Sequence, residues 1–120
     1  MTPDELKDRT KTFGIAIVEL ARELPADVVT STIVRQLVKS GTAVGANYWS
    51  SCRAKSRADF ISKMTVAEEE ADETIYWLEM LVGGRIVVAD RVRRHREEAE
   101  QLVRIFVASI NTARRGTRGR

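Results

Sequence analysis

The sequence has few of the residues on which most catalytic and metal sites depend. Its 120 residues include one cysteine, Cys52, and one histidine, His95. A single cysteine excludes an intrachain disulfide and is typical of a reducing compartment, so we expect a cytoplasmic location. No Glu-x-x-His motif is present, so the ligand pairs of a di-iron bundle are missing. We therefore expect a non-enzymatic protein with no metal and no cofactor, and with Cys52 and His95 in structural positions.

Long apolar runs and internal prolines are also missing. No stretch of about 20 apolar residues occurs, so the sequence predicts no membrane-spanning segment. The charged N-terminus "MTPDELKDRT" lacks the apolar core of a secretory signal. Proline occurs only at positions 3 and 25, which favours long helices. The net charge of +3 permits nucleic-acid binding without requiring it.

Apolar residues recur at helical spacing in four segments. The first opens with Thr2 and Glu5, the spacing of a capping box, and ends before Pro25. The others cover about 27–51, about 57–82, and from between 88 and 92 to about 114. Four amphipathic helices with short connections predict an all-α, antiparallel up-down-up-down four-helix bundle over residues 1–114. A flexible basic tail is predicted over residues 115–120.

Two glycines lie inside the second predicted helix. Glycine in a helix interior costs about 1 kcal/mol relative to alanine. Gly41 and Gly45 are four residues apart and share one face, so we expect them to let another helix approach closely. The alternative is that a helix stabilised elsewhere simply tolerates them.

Aromatic and apolar side chains extend beyond one stripe per helix. Trp49 lies outside the stripe of the second helix, and Val66, Thr74, Trp77 and Leu81 form a second strip on the third. Since one copy of a bundle needs about one apolar stripe per helix, we expect Trp49 and Trp77 at a homo-oligomer interface. The alternative is that both tryptophans border the core of a single copy.

Some polar residues fall on predicted inner faces. Ser40 and Asn47 need partners if they are buried, because desolvation of an unpaired polar group is costly. Glu69 and Glu73 of the third helix are the candidate buried partners, and such a contact would fix the register of the two helices. A water-lined rim around Asn47 is the alternative.

Cations cluster where an up-down bundle brings its ends together. The segment "CRAKSR" precedes the third helix, and "RRGTRGR" ends the chain. A second basic segment, "RVRRHR" over residues 91–96, belongs to the other end. Arginine and lysine clusters suit phosphate contact, although solvated helix ends carry similar runs. The candidate nucleic-acid-binding residues are Arg53, Lys55, Arg57, Arg114, Arg115, Arg118 and Arg120.

The segment over residues 35–81, "RQLVKSGTAVGANYWSSCRAKSRADFISKMTVAEEEADETIYWLEML", followed by a fourth helix with Ala-Glu-Gln-Leu, resembles the four helix bundle protein family, which includes proteins encoded in 23S ribosomal RNA intervening sequences. The resemblance covers nearly the whole chain, from about Arg9 to Ala113. The resemblance implies up-down bundles that assemble into ring-shaped homopentamers. It also implies similarity to the accessory variability protein of diversity-generating retroelements, a basic pentamer that binds nucleic acid and a reverse transcriptase. It supplies no catalytic residue.

Two functions remain open at this point. One is an oligomeric module, homopentameric by the resemblance, that binds RNA or DNA, with a reverse transcriptase as an implied protein partner. The other is a self-assembling protein-interaction scaffold without nucleic-acid binding.

Overall fold

Four α-helices make up nearly the whole chain. The computed structural model describes residues 1–118, and their side chains through residue 116. The helices are α1 (Pro3–Arg22), α2 (Val28–Ser51), α3 (Arg57–Gly83) and α4 (Ala89–Arg118). The predicted all-α class is confirmed. α4 continues through Arg118, four residues past its predicted end, and residues 119–120 lie outside the described residues. The flexibility of residues 115–120 stays a prediction.

Side-chain caps fix where the first three helices begin. Thr2 accepts a hydrogen bond from the backbone N–H of Glu5, whose carboxylate accepts one from the Thr2 N–H. This is the predicted capping box. Asp27 caps α2 by accepting from the Thr30 N–H at 2.9 Å. These contacts satisfy amides that would otherwise lack partners at a helix start.

α3 ends at two glycines, Gly83 and Gly84, yet neither takes the left-handed conformation that glycine often adopts at a helix end. The positive φ, 62°, falls on Arg85. Gly84 has φ −80°. A side chain at Gly84 would not fit, because its Cβ would lie 2.9 Å from the Met80 carbonyl oxygen. The chain can therefore turn tightly against the last turn of α3.

Neighbouring helices run in opposite directions. Gly45 lies against Thr10, whereas Gly41 lies against Ile17, so residue numbers rise along α1 as they fall along α2. Between α3 and α4, Arg96 pairs with Glu79 near one end, and Arg57 lies near Gly116 at the other. The molecule is a rod of 54 × 22 × 20 Å. Helix starts and ends therefore gather at two poles.

α2 and α3 are the inner helices of this bundle. Each packs extensively against both sequence neighbours, whereas α1 and α4 make only a small contact with one another. This arrangement corrects the expected second strip of α3, because Thr74 and Leu81 are fully buried within one copy. A helix with two partners needs two apolar stripes, and the rule of one stripe per helix fails for α3.

The two helical glycines lie in the α1–α2 contact. A Cβ at Gly41 would lie 2.9 Å from two side-chain carbons of Ile17, which is closer than carbon atoms pack. A Cβ at Gly45 would lie 3.3 Å from the backbone carbonyl group of Thr10. Gly14 of α1 faces the Gly41 carbonyl oxygen from the other side. The predicted close helix approach is present, and it lies within one copy of the chain.

Replacing Gly41 by alanine tests this contact. We expect Gly41→Ala to lower the free energy of unfolding by about 1–3 kcal/mol, because Ile17 is fully buried and cannot move aside freely. Urea denaturation measures the loss. The control is Gly83→Ala, where an added Cβ meets no atom within 4 Å. In an Ile17→Ala background the same glycine substitution should cost less, and an unchanged cost would contradict the steric explanation.

Candidate nucleic-acid interface

Five cations meet at one end of the rod. We name this group the cationic pole: Arg53, Lys55, Arg57, Arg114 and Arg115. The first three lie at the α2–α3 turn and the start of α3, and the last two lie in the final turns of α4. The two segments approach closely, since a Cβ at Gly116 would lie 3.4 Å from Nη1 of Arg57. The structure thus brings together these separated parts of the predicted set.

The other two predicted cations are not part of this description. Arg118 is the last described residue of α4, and its side chain is outside the described part. Arg120 lies outside the described residues altogether.

The side chains of the cationic pole are exposed and have few acidic neighbours. All five residues are exposed to solvent. Among the described residues, no carboxylate lies within ion-pair distance of Arg53, Lys55 or Arg114. Asp59 is the one acidic residue between positions 53 and 63, and it is held by Lys63 at 2.9 Å. Its pKa is lowered by that contact first and by the Lys55 backbone N–H second.

The basic segment at the opposite pole is neutralised to a large extent. Arg91 pairs with Glu23 at 3.4 Å, and Arg93 pairs with Asp90. Arg96 bridges Glu79 of α3 at 2.8 Å and Glu100 of its own helix at 3.0 Å. Such exposed pairs add little stability, but they lower the local positive potential. Among the described residues, the opposite pole therefore has more of its cations in ion pairs than Arg53, Lys55 and Arg114 of the cationic pole do.

α1 adds little free positive charge to the cationic pole. Arg9 makes a two-pronged ion pair with Glu98 of α4, with both nitrogen–oxygen distances at 2.7 Å. Lys7 lies over the ring of Trp49, 5.9 Å from its centroid. Asp4 and Glu5 in the first turn of α1 add negative charge at this end. The free positive charge therefore lies on the α3–α4 side of the pole.

An apolar cavity opens at the same pole. We name it the pole cavity; it encloses about 540 Å³ between all four helices. Its inner wall holds apolar side chains and hydroxyl groups: Tyr48, Ser51, Phe60, Met64, Ile105 and Ser109. A groove of about 370 Å³ adjoins it along α4 and shares Phe60 and Ser109 with it. We name this second space the side groove.

The pole cavity escaped prediction from sequence. Phe60 fits the helical spacing of the inner face of α3. The structure leaves Phe60 only half-buried, one turn from the start of the helix, where it borders both the pole cavity and the side groove. Its position three residues after Arg57 is the one sequence signal that could have marked it.

The two tryptophans differ in exposure. Trp49 is 42% exposed, although its indole N–H donates to the Lys7 carbonyl oxygen at 3.2 Å. Trp77 is half-buried, and its N–H donates to Glu73 at 3.3 Å. Beside Trp77, the ring of Tyr76 is 53% exposed. Trp49 and Tyr76 thus leave large aromatic surface in contact with water, and Trp77 borders the core.

Trp49 also closes one end of an apolar groove between α1 and α2. We name it the α1–α2 groove; it has a volume of about 320 Å³. Its lining includes Gly14, Ile15, Val18, Thr42, Gly45 and Trp49. Ile15 is 47% exposed. The close helix approach at the glycines forms the floor of this groove. The two glycines therefore produce both the tight α1–α2 packing and the groove above it.

The prediction of buried polar residues is correct for Ser40 and wrong for Glu69 and Glu73. Ser40 is fully buried, and its hydroxyl accepts from Thr74 of α3 at 3.0 Å while donating to the Leu37 carbonyl. Glu69 and Glu73 are exposed on the outer side of α3. Burying a charged carboxylate without a partner is costly, whereas a threonine hydroxyl can enter the α2–α3 contact and hydrogen-bond there.

Asn47 also binds within its own helix. It is half-buried, and its side-chain amide donates to the Ala43 carbonyl at 2.8 Å. The register of α2 against α3 is therefore marked by the Ser40–Thr74 hydrogen bond and not by an Asn47–Glu contact.

Cys52 and His95 lie in unrelated places. Cys52 is exposed and lines the pole cavity, so it is not part of the core of one copy. Burial and contact with this thiol raise the pKa of Tyr48. His95 lies against α1 near Ala16, and its Nδ1 atom is buried with no hydrogen-bond partner. Among residues 1–118, no group of three or more Cys, His, Asp or Glu side chains is placed to hold a metal ion.

Comparisons with known proteins agree with the fold. Residues 5–108 match the sequence model of a family described as 23S rRNA-intervening sequence protein. The chain is also similar to a crystal structure of a protein of unknown function from the S23 ribosomal protein family of Bacteroides thetaiotaomicron, with a TM-score of 0.85. The two are 31% identical over 92% of this chain and 99% of the other. No curated protein matches the chain.

The part of the chain that the structure describes has no helix long and apolar enough to cross a membrane.

His95 should make the stability of the bundle depend on pH. Burial lowers its pKa, and Arg91 lowers it further, against opposing effects of Ala16 and Glu23. Below about pH 6.5, the ordinary pKa of histidine, the unfolded chain takes up a proton that the folded chain resists. The free energy of unfolding should therefore fall as the pH drops through this region, and level off below the lowered pKa of the folded state.

Urea denaturation from about pH 7.5 to about pH 5 tests this, with His95→Gln as the comparison. The variant should lose most of the pH dependence in this range. Glu5, Asp27 and Asp59, whose pKa values are lowered, act only at more acidic pH. The same slope in both proteins would show that His95 is not the titrating group.

Proposed function

Because the chain belongs to the 23S rRNA-intervening sequence protein family, we propose that it acts as a non-enzymatic, oligomeric module that binds nucleic acid. The observation that supports this is the cationic pole, where exposed arginine and lysine side chains of two segments converge with few acidic neighbours. Arginine presents several N–H donors in a planar fork that matches phosphate oxygens. Releasing condensed counterions from the phosphates would then drive binding.

The charge distribution would orient a nucleic acid on the rod. Residues 68–73 of α3 include Glu68, Glu69, Glu70, Asp72 and Glu73. Burial and the neighbouring Glu73 raise the pKa of Glu70, as expected for a crowded acidic surface. Phosphates would be repelled from the middle of the molecule and attracted to its end. Nucleic acid would therefore contact the cationic pole and leave the middle of the rod free for protein contacts.

Self-association is the second part of the proposal. Exposed Ile15 and Trp49 border the α1–α2 groove, and large exposed apolar patches are rare on monomers. We infer a homo-oligomer joined through this groove, a homopentamer by resemblance to the wider four helix bundle family. A ring would place several cationic poles side by side and raise affinity by multivalency. By the same resemblance, a reverse transcriptase is the proposed protein partner, and the single cysteine supports a cytoplasmic setting.

The exposed apolar groove also supports a second candidate function, a self-assembling scaffold that binds proteins alone. It shares the oligomer but not the role of the cationic pole. RNA and DNA binding by the purified oligomer distinguishes the two.

Neutralising the cationic pole should weaken nucleic-acid binding and its dependence on salt. We expect the triple variant Arg53→Gln, Arg114→Gln, Arg115→Gln to flatten the slope of log K against log salt for single-stranded RNA by about 2. Truncation after Ala113 should act in the same direction. Fluorescence anisotropy over a salt series, after RNase treatment during purification, measures both.

A matched control removes the same charge elsewhere. The triple variant Arg85→Gln, Arg93→Gln, Arg94→Gln lowers the net charge equally at the opposite pole, and it should bind nearly as well as the unmodified chain. Equal weakening by both triple variants would show that overall charge, and not this site, governs binding. No retardation of RNA or DNA at moderate salt would favour the scaffold function.

A charge placed in the α1–α2 groove should separate the copies. We expect the unmodified chain to elute as an oligomer, five times the 13.5 kDa of one copy for a pentamer. Ile15→Glu should give single copies with unchanged helix content, since ionised side chains are costly at an apolar interface. Size-exclusion chromatography with light scattering gives the mass. Val29→Glu, at a position 69% exposed near the opposite pole, is the control. A single copy for the unmodified chain at high concentration would refute the proposal.

A further inference from the structure

The geometry points to a nucleobase-binding site at Phe60: one unpaired base of a single-stranded nucleic acid enters the pole cavity and stacks on this ring while the cationic pole holds the flanking phosphates. This inference rests on the proposed function and makes it specific, because it names single strands as the ligand and a base as the group recognised.

The shape and lining of the pole cavity support a base as occupant. A volume of about 540 Å³ lies in the range of small-molecule clefts, about 300–1,000 Å³. The walls are mostly apolar, with hydroxyl groups from Ser51, Ser56 and Ser109 among them. Ser51 and Ser56 already bond to the backbone, whereas the half-buried Ser109 lies where the pole cavity meets the side groove. Planar aromatic groups with polar edges, such as nucleobases, match such a lining.

Phe60 occupies the central position. Its ring borders both the pole cavity and the side groove, and it is half-buried instead of sealed in the core. Tyr48, the other aromatic residue of the pole cavity, is 5% exposed and stacks with Phe106, with ring centroids 6.0 Å apart. Among the described residues that line the cavity, Phe60 is therefore the aromatic ring open to a ligand. Stacking on such a ring tolerates any base, because every base has a π face.

The charged residues around the cavity determine how a bound nucleic-acid strand would be oriented. Arg57 lies three residues before Phe60, and Arg114 and Arg115 follow directly after the side groove residue Ala113. On the α1 side, the negative charge of Asp4 adds to burial and Cys52 in raising the pKa of the Tyr48 phenol, and the same charge would repel phosphates there. A strand would therefore run from the mouth of the cavity along the side groove between α3 and α4, with its phosphates towards these arginines.

Removing the base or the ring tests the site. The probes are a single-stranded RNA of about ten nucleotides and an abasic phosphodiester oligomer of equal length and charge, compared by fluorescence anisotropy. We expect the unmodified chain to bind the RNA at least about tenfold more tightly than the abasic oligomer, the scale of one stacked base. Binding of a duplex of the same sequence should not depend on Phe60, because its bases are already stacked, so Phe60→Leu should leave duplex affinity unchanged.

Two variants should remove this preference and leave the salt slope unchanged. Phe60→Leu keeps an apolar side chain and removes the aromatic ring, while Ser109→Leu fills the junction of the pole cavity and the side groove. Tyr76→Leu removes an exposed aromatic ring elsewhere on α3 and should keep the preference. Circular dichroism and the oligomer mass confirm that each variant is folded.

The possible failures are distinguishable. Equal affinity for the RNA and the abasic oligomer, or a preference that survives in both Phe60→Leu and Ser109→Leu, overturns the base site while binding at the cationic pole stands. Absence of binding to every oligomer overturns the base site together with the proposed function.

Discussion

The close approach of α1 to α2 is the contact on which the other features of this bundle depend. Gly41 and Gly45 remove the side chains that would separate the helices, and the buried Ile17 and Thr10 occupy the space. That approach places the start of α1 beside the α2–α3 turn and helps close the pole cavity. It also leaves a shallow apolar groove on the outer surface, beside Trp49. One steric constraint thus sets the internal packing and the surface through which we propose that copies join.

The two ends of the rod differ less in their number of cations than in how many of those cations form ion pairs with carboxylates. Both ends carry clustered arginines, yet at one end glutamate and aspartate side chains lie within reach of Arg91, Arg93 and Arg96. At the cationic pole, the nearby Asp59 is occupied by Lys63. A cluster of exposed cations with few acidic neighbours, beside an apolar cavity, combines the two properties that single-stranded nucleic acids require, attraction for phosphates and a surface on which bases stack. The acidic middle of α3 keeps these properties confined to the end.

The proposals depend on one another in a definite order. Nucleic-acid binding rests on the charge of the cationic pole, the base site adds the ring of Phe60, and oligomerisation repeats both around an assembly. The base site requires the first of these but not the third. The scaffold alternative shares only the α1–α2 groove. Family membership fixes the fold of this chain, and function is argued from its own surfaces because a fold can host unrelated activities.

Local rules in the sequence determined the number of helices, the caps at Thr2 and Asp27 and the role of Gly41, because each depends on neighbours a few residues away or on the absence of a side chain. Tertiary structure alone decided which polar groups are buried. Ser40 bonds to Thr74, Glu69 and Glu73 are exposed, and α3 buries two stripes because it lies between α2 and α4. These outcomes depend on groups 20 or more residues apart in the chain, whose distances are set only when the helices pack.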